Sequence, residues 1–130
     1  MQKTDLPEGE LIIQTVAMPA DTNANGDIFG GWLLSQMDIA GAVLARYKAS
    51  SRVATVAIES MTFKHPVHIG DLLSCYGHMT RMGNTSVTIK IEAWSTNMNG
   101  DVIKKVTEGI FVYVAIDEDR RPRPIKKNIE

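Results

Sequence analysis

Twenty residues, FGGWLLSQMDIAGAVLARYK (29 to 48), read as one long helix with almost no polar side, and no second helix is read in the chain. A helix at a protein surface carries an apolar stripe and a polar one; a helix apolar on nearly all sides is enclosed. Here whatever encloses it must be built from strands.

LIIQTVAM (11 to 18) is a short apolar run closed by Pro19 and reads as a first strand. ADTNANGDIFGG follows, dense in Asn, Asp and Gly, the composition of an irregular loop. The helix is expected to end near residues 50 to 52, and RVATVAIESMTF, β-branched-rich and stopping before Pro66, gives a second strand. Gly70-Asp71 turns the chain into LLSCYGHMTRM, and Gly83-Asn84 turns it again. In SVTIKIEAW, Val87, Ile89, Ile91 and Ala93 alternate with Ser86, Thr88, Lys90 and Glu92, a period of two that buries one face and wets the other. Asn99-Gly100 is a hairpin signal, and VIKKVTEGIFVYVAI returns as a long last strand. The tail DEDRRPRPIKKNIE, from about residue 117, reads as an extended or mobile terminus.

One helix and about five strands joined mostly by tight turns imply an α+β fold with a largely antiparallel sheet. A single helix cannot cover a flat sheet, so the sheet is expected to curve strongly around it. Ala40, Gly41, Ala42 and Ala45 let strands or a partner helix approach closely. An edge strand and part of the apolar surface stay uncovered, which points to a homo-oligomer.

The chain has 130 residues, 44% hydrophobic and 22% charged, so one domain spanning 1 to 130 is expected, with enough length to bury a core. Net charge is −1 with scattered basic residues, which argues against nucleic acid or an anionic membrane as partner. No stretch has the length of a membrane span, and the polar N-terminus MQKTDLPEGE is unlike a secretory signal. Cys75 is the one cysteine, so there is no disulfide framework, and a cytoplasmic protein is the plain expectation.

Asp38 breaks the apolar helix. It shares a face with Ser35, three residues back, so a solvated surface carboxylate is one reading. Against it, Leu34, Met37, Ile39, Gly41 and Ala42 leave little room for a wet stripe. A buried, unpaired carboxylate costs several kcal/mol, and partners or function must offset that. The helix start gives a second hint. Gly30 and Gly31 leave the unpaired N–H groups of the first turn unobstructed, an arrangement that holds an anion or a developing oxyanion. Close packing or turn geometry explains glycines equally well, so the pair of features is more specific than either one.

Other chemistry is thinner. His65 and His68 have H-x-x-H spacing, but Pro66 lies between them and no carboxylate ligand is evident, so no metal site is expected. Neither G-x-S-x-G nor a Walker loop is present. Cys75 reads as buried packing rather than a nucleophile.

MPADTNANGDIFGGWLLSQMDIAGA (18 to 42) resembles the hotdog-fold acyl-CoA thioesterases, and most closely their broad-specificity bacterial, YciA-type branch. The resemblance continues through VAIESMTFKHPVHIGD and RMGNTSVTIKIEAW and covers about residues 11 to 116. It implies the hotdog fold, a curved antiparallel sheet wrapped round one central helix, and hydrolysis of acyl-CoA to free acid and CoA. It implies Asp38 as the catalytic acidic residue, Asn23 as a residue positioning thioester or water, and the backbone N–H of Gly30 and Gly31 as polarising donors. Asp38 then acts as general base or as nucleophile, two routes that stay open. Thr62 is a candidate for orienting the water. For the CoA mouth the candidates are Arg81, Lys64, Arg121 and Arg123, with Gly83, Thr85 and Ser86 along the pantetheine arm; for the acyl end, Trp32, Met37 and Met61. No cofactor is expected, coenzyme A being part of the substrate. Sites between subunits of a dimer, and a hexamer built from such dimers, complete what the resemblance implies. Two alternatives are kept: a hotdog hydratase or dehydratase, which needs a histidine set with the acid, and a non-catalytic acyl-CoA-binding protein, which does not need Asp38.

Overall fold

A computed structural model describes residues 6 to 125. Five strands and one long helix follow in the order β1 (Glu10–Val16), α1 (Gly30–Ala49), β2 (Val53–Phe63), β3 (Leu72–Met82), β4 (Ser86–Thr96) and β5 (Ile103–Ala115). A single 3₁₀ turn, Pro19–Asp21, follows β1. The strands form one sheet ordered β1-β3-β4-β5-β2, and every neighbouring pair is antiparallel. Among the described residues no helix is long and apolar enough to cross a membrane.

The period of two in β4 has the expected effect: Val87, Ile89, Ile91 and Ala93 are fully buried on the face that meets the helix. Helix α1 crosses that face, chiefly over β3 and β4, and buries Leu33, Met37, Ala40, Gly41, Leu44 and Ala45. Its other side stays open, with Ile39 and Val43 about half exposed and Tyr47 more so. Within one chain the sheet thus covers one side of the helix rather than enclosing it, and the uncovered apolar surface is the part expected to face another copy. Edge strand β2 is bare as well: Val56, Ile58 and Phe63 are exposed, and its outer edge pairs with nothing among the described residues.

On the face away from the helix, Glu92 is buried. Its carboxylate accepts from Trp94 Nε1 (2.9 Å) and from the backbone N–H of Glu8, and faces Lys90 and Lys105. The wet face of β4 is therefore dry at this point, because the N-terminal segment folds over it.

The tail departs from expectation. Residues 117 to 125 are neither free nor extended away from the domain: Asp117 Oδ1 accepts the N–H groups of Asp119 and Arg121, and Arg120 takes a left-handed conformation. The chain then returns beside β5. Arg123 N–H bonds the Ala115 carbonyl, Ile125 N–H bonds Asn84, and the Ile125 side chain is buried. One apolar residue after a turn is enough to dock a segment whose composition reads as mobile. Residues 126 to 130 of that tail lie outside the described residues. The hairpin around Asn99-Gly100 also differs in detail: Asn97 Oδ1 accepts from Asp101 and Val102, stapling a wider turn in which Gly100 has φ +77°.

Candidate active site

Asp38 lies in the middle of α1, on the side of the helix toward β2. Its Oδ1 accepts a hydrogen bond from the Thr55 hydroxyl of β2 at 2.8 Å and one from the Tyr113 hydroxyl of β5 at 2.9 Å. The Tyr113 hydroxyl also lies 3.0 Å from the Asp38 backbone carbonyl. Both donors engage one carboxylate oxygen; among the described residues Oδ2 has no hydrogen-bond partner. The carboxylate is partly exposed, so it is neither an unpaired buried charge nor a freely rotating surface group.

Tyr113 is fully buried and stacks beside Phe111 on the helix-facing side of β5. It reaches Asp38 because residue 41 is glycine: a Cβ there would collide with the Tyr113 hydroxyl and sit 2.9 Å from Cζ. Burial, and secondarily the Asp38 charge, push the phenol far above its ordinary range, so it stays protonated and serves as donor. Sequence reading missed both Tyr113 and Thr55. The available signal was a glycine in mid-helix, which disfavours the helix by about 1 kcal/mol and needs a packing reason.

The loop before the helix is held by Asn23. Its Oδ1 accepts the N–H groups of Asn25 (2.9 Å) and Asp27 (3.1 Å), and its backbone N–H bonds the Asp27 carbonyl. Asn23 therefore has a structural task, and its amide nitrogen is left to donate elsewhere. The N–H groups of Gly30 and Gly31 have no intrahelical acceptor, and Phe29 before them supplies no side-chain cap. Among the described residues a Cβ on Gly31 would meet nothing within 4 Å, so their packing does not call for glycine there.

Gly31 and Asp38 are seven residues apart on one helix, about 10 Å along its axis at 1.5 Å per residue. An oxyanion donor must lie about 3 Å from the oxygen it serves. The helix start of one chain is thus set well apart from its own Asp38.

The remaining candidates separate into two ends of the sheet. Arg81 and the turn bearing Gly83, Thr85 and Ser86 share an end with Arg121 and Arg123, because the docked tail runs beside Asn84 and Ala115. Lys64 lies at the opposite end, its N–H bonded to Val106. Thr62 is exposed on β2 beside a bulge, and its carbonyl accepts the Thr107 hydroxyl; the β2 threonine that meets Asp38 is Thr55. Met37 is wholly buried; Trp32 and Met61 are partly buried against the core, with Met61 lying over Gly109.

His65 and His68 are exposed in the loop after β2, and His78 lies on β3 with a buried Nδ1 that has no hydrogen-bond partner among the described residues; none of the three bonds Asp38. Among the described residues no group of three His, Cys, Asp or Glu is placed to hold a metal ion. Cys75 is buried, and burial pushes its thiol up to about 12, well away from a nucleophile's range.

Comparison with known proteins identifies the family and the fold. The family model of the thioesterase superfamily matches residues 25–100. The acyl-CoA thioester hydrolase YciA of Salmonella typhimurium is 54% identical over 122 residues, covering 92% of each chain. The crystal structure of the hexameric thioesterase y2039 from Yersinia pestis superposes with a TM-score of 0.91 at 50% identity, covering 95% of this chain and 100% of that one. HI0827, a hexameric broad-specificity acyl-coenzyme A thioesterase, superposes with a TM-score of 0.91 at 44% identity, covering 96% of this chain and 86% of that one.

Proposed function

The chain belongs to the thioesterase superfamily and is a hotdog-fold acyl-CoA thioester hydrolase; we propose that Asp38 is its catalytic carboxylate and that two copies of the chain complete each site. The observation that carries the proposal is the clamp on Asp38. Two hydroxyls fix Oδ1, while Oδ2 is left for a water or a thioester carbon.

A thioester carbonyl has weak resonance and needs polarisation together with an oxygen nucleophile. As general base, Asp38 takes a proton from water, and the hydroxide oxygen adds to the carbonyl carbon. The tetrahedral oxyanion collapses, the C–S bond breaks, and the departing CoA sulfur recovers the proton from Asp38. In the second route Oδ2 attacks directly, CoA leaves, and water hydrolyses the mixed anhydride. In both routes the Gly30 and Gly31 N–H groups that hold the oxyanion belong to a second copy, a reading that the spacing along α1 supports. Asn23 of that copy, its amide nitrogen uncommitted, orients the thioester or the water, and Thr62 is a further candidate for that task. Trp32 and Met61 line the acyl end.

The second copy joins through the bare edge of β2, where Val56, Ile58 and Phe63 need cover and the outer edge of the strand needs partners. Three such dimers make the proposed hexamer, a reading supported by similarity to y2039 and HI0827, both hexameric thioesterases. The reaction needs no cofactor, coenzyme A entering as part of the substrate. A cytoplasmic location belongs to the same proposal, supported by a lone, reduced, buried cysteine.

The test is thiol release from a panel of short- to long-chain acyl-CoAs by the wild type and by Asp38→Asn, with substrate-free controls for Cys75. The expected result is turnover by the wild type and a loss of roughly 10²- to 10⁴-fold in a folded Asp38→Asn protein. Full activity without the carboxylate would return Asp38 to a structural role.

A further inference from the structure

Asn23 closes on a single residue from both sides. Its Oδ1 accepts the Asp27 N–H at 3.1 Å, and its own N–H donates to the Asp27 carbonyl. Where Asp27 stands therefore sets the plane of the Asn23 amide, and with it the direction of the uncommitted amide nitrogen. The loop between them borders open space: Gly26 has φ +83°, and among the described residues nothing lies within 4 Å of where its Cβ would be. What holds Asp27 thus decides where that nitrogen points.

The support is the connection between β2 and β3. Ile28, next to Asp27 and buried, donates its N–H to the Val67 carbonyl at 3.1 Å. Beside that bond the Asp27 carboxylate faces His68, with Oδ1 3.6 Å from Nδ1. His68 is carried on a braced turn. Its N–H donates to Asp71 Oδ2 at 2.9 Å, and its carbonyl accepts the Asp71 N–H at 3.0 Å. Asp71 is buried, and the turn is tied to Ala17 at the end of β1 by two backbone bonds, from Ala17 N–H to the Asp71 carbonyl and from Gly70 N–H to the Ala17 carbonyl. The imidazole is thus anchored to the sheet, whereas Asp27 belongs to a loop held largely by its own hydrogen bonds.

At 3.6 Å the contact is too long for a hydrogen bond and is an attraction between charges, present when the imidazole carries a proton. An exposed ion pair of this kind adds little to the stability of a fold. Its place is what distinguishes it, since the carboxylate belongs to the one residue that holds both ends of the Asn23 closure. We propose that His68 is a positioning residue for Asn23: the charged imidazole holds Asp27, and Asp27 holds the amide that orients the thioester or the water. The inference rests on the reading of Asn23 given above, and His68 serves the Asn23 of its own chain. The carboxylates set around His68 are that of Asp27, from the loop before α1, and that of Asp71, within its own turn.

The test is thiol release from an acyl-CoA at about pH 6, on the acid side of the range in which histidine gains its charge. The intact oligomer carries His68→Ala, His68→Lys or Asp27→Asn, each alone and together with Asn23→Asp. Asn23→Asp keeps an oxygen to accept the loop N–H groups and removes the amide donor. His68→Ala and Asp27→Asn should each lower kcat by about two- to fivefold, the reach of an exposed ion pair, with KM and the urea midpoint little changed. His68→Lys, which keeps a positive charge, should recover most of that loss. In the Asn23→Asp protein, itself lowered at least about tenfold, neither substitution should lower kcat further. Unchanged kcat in His68→Ala overturns the assignment. So does a loss that persists in full beside Asn23→Asp, or one that lysine fails to repair. Failure of the underlying reading looks different: Asn23→Asp then turns over as fast as the wild type, which overturns both, because His68 has nothing to position.

Discussion

The Tyr113 hydroxyl lies 2.9 Å from Asp38 Oδ1, reaching across the helix at the one place where Gly41 leaves room. A carboxylate on a helix has two side-chain torsions to settle, and a donor fixed in a packed strand settles them before substrate arrives. Tyr113→Phe keeps the ring and its packing and removes only that donor. A hydrogen bond to a charged group contributes about 1.5–3 kcal/mol. We expect kcat to fall roughly 10- to 100-fold with little change in KM, and Thr55→Val to act in the same direction. Loss of stability with unchanged kcat would make the tyrosine structural only.

The same phenol gives the fold an alkaline limit. Its affinity for its proton is raised in the folded state, first by burial and then by the neighbouring Asp38 charge. A group with a raised folded pKa contributes stability that is complete below its ordinary value, 10.0 here, and lost as pH rises beyond it. Urea midpoints should hold up to about pH 10 and decline above it, and the decline should be shallower in Tyr113→Phe. An identical alkaline slope in both proteins would mean that other groups set the limit.

Much of this was legible in the sequence for a simple reason. In β4 the alternation from Val87 to Ala93 is a direct record of which face is dry, and the lone apolar helix left only one architecture. Asp38 stood out because a charge in an apolar helix demands a partner. The partners were not legible, since Thr55 and Tyr113 sit on strands where threonine and tyrosine are favoured anyway. The pairing of Gly41 with Tyr113 is a contact between residues 72 apart in the chain and has no local signature. Glu92 was read as wet because alternation does not reveal that the N-terminal segment reaches it at Glu8. The tail was misread because its charges and prolines outweigh Ile125, whose burial depends on the turn at Asp117.

The bare edge of β2 predicts how assembly responds to charge. Val56 is 57% exposed in the single chain and Ile58 39%. If a second copy covers them, a lysine there buries an unpaired charge and breaks the interface. Val56→Lys and Ile58→Lys should shift sedimentation toward smaller species and lower activity together, because a separated chain holds no complete site. A monomer with full activity would contradict the two-chain site.

The start of the helix allows a substitution that deletes one donor and little else. Gly31 lies in the first turn of α1, where an N–H has no intrahelical acceptor and proline is tolerated. Gly31→Pro therefore removes an N–H without breaking a helix bond, and among the described residues nothing stands within 4 Å of the added Cβ. In the proposed two-chain site, this donor serves the carboxylate of the other copy. Gly31→Ala controls for bulk at the same point. We expect Gly31→Pro to lower kcat by about 10²- to 10³-fold, the scale of one lost oxyanion donor, while Gly31→Ala loses much less. The decisive measurement mixes Gly31→Pro and Asp38→Asn chains by joint refolding. A mixed dimer contains one site with both its carboxylate and its N–H intact, so activity should return above that of either variant alone. No recovery in a mixture shown by mass to contain mixed dimers would place both groups in the same site of the same chain, against the geometry of α1.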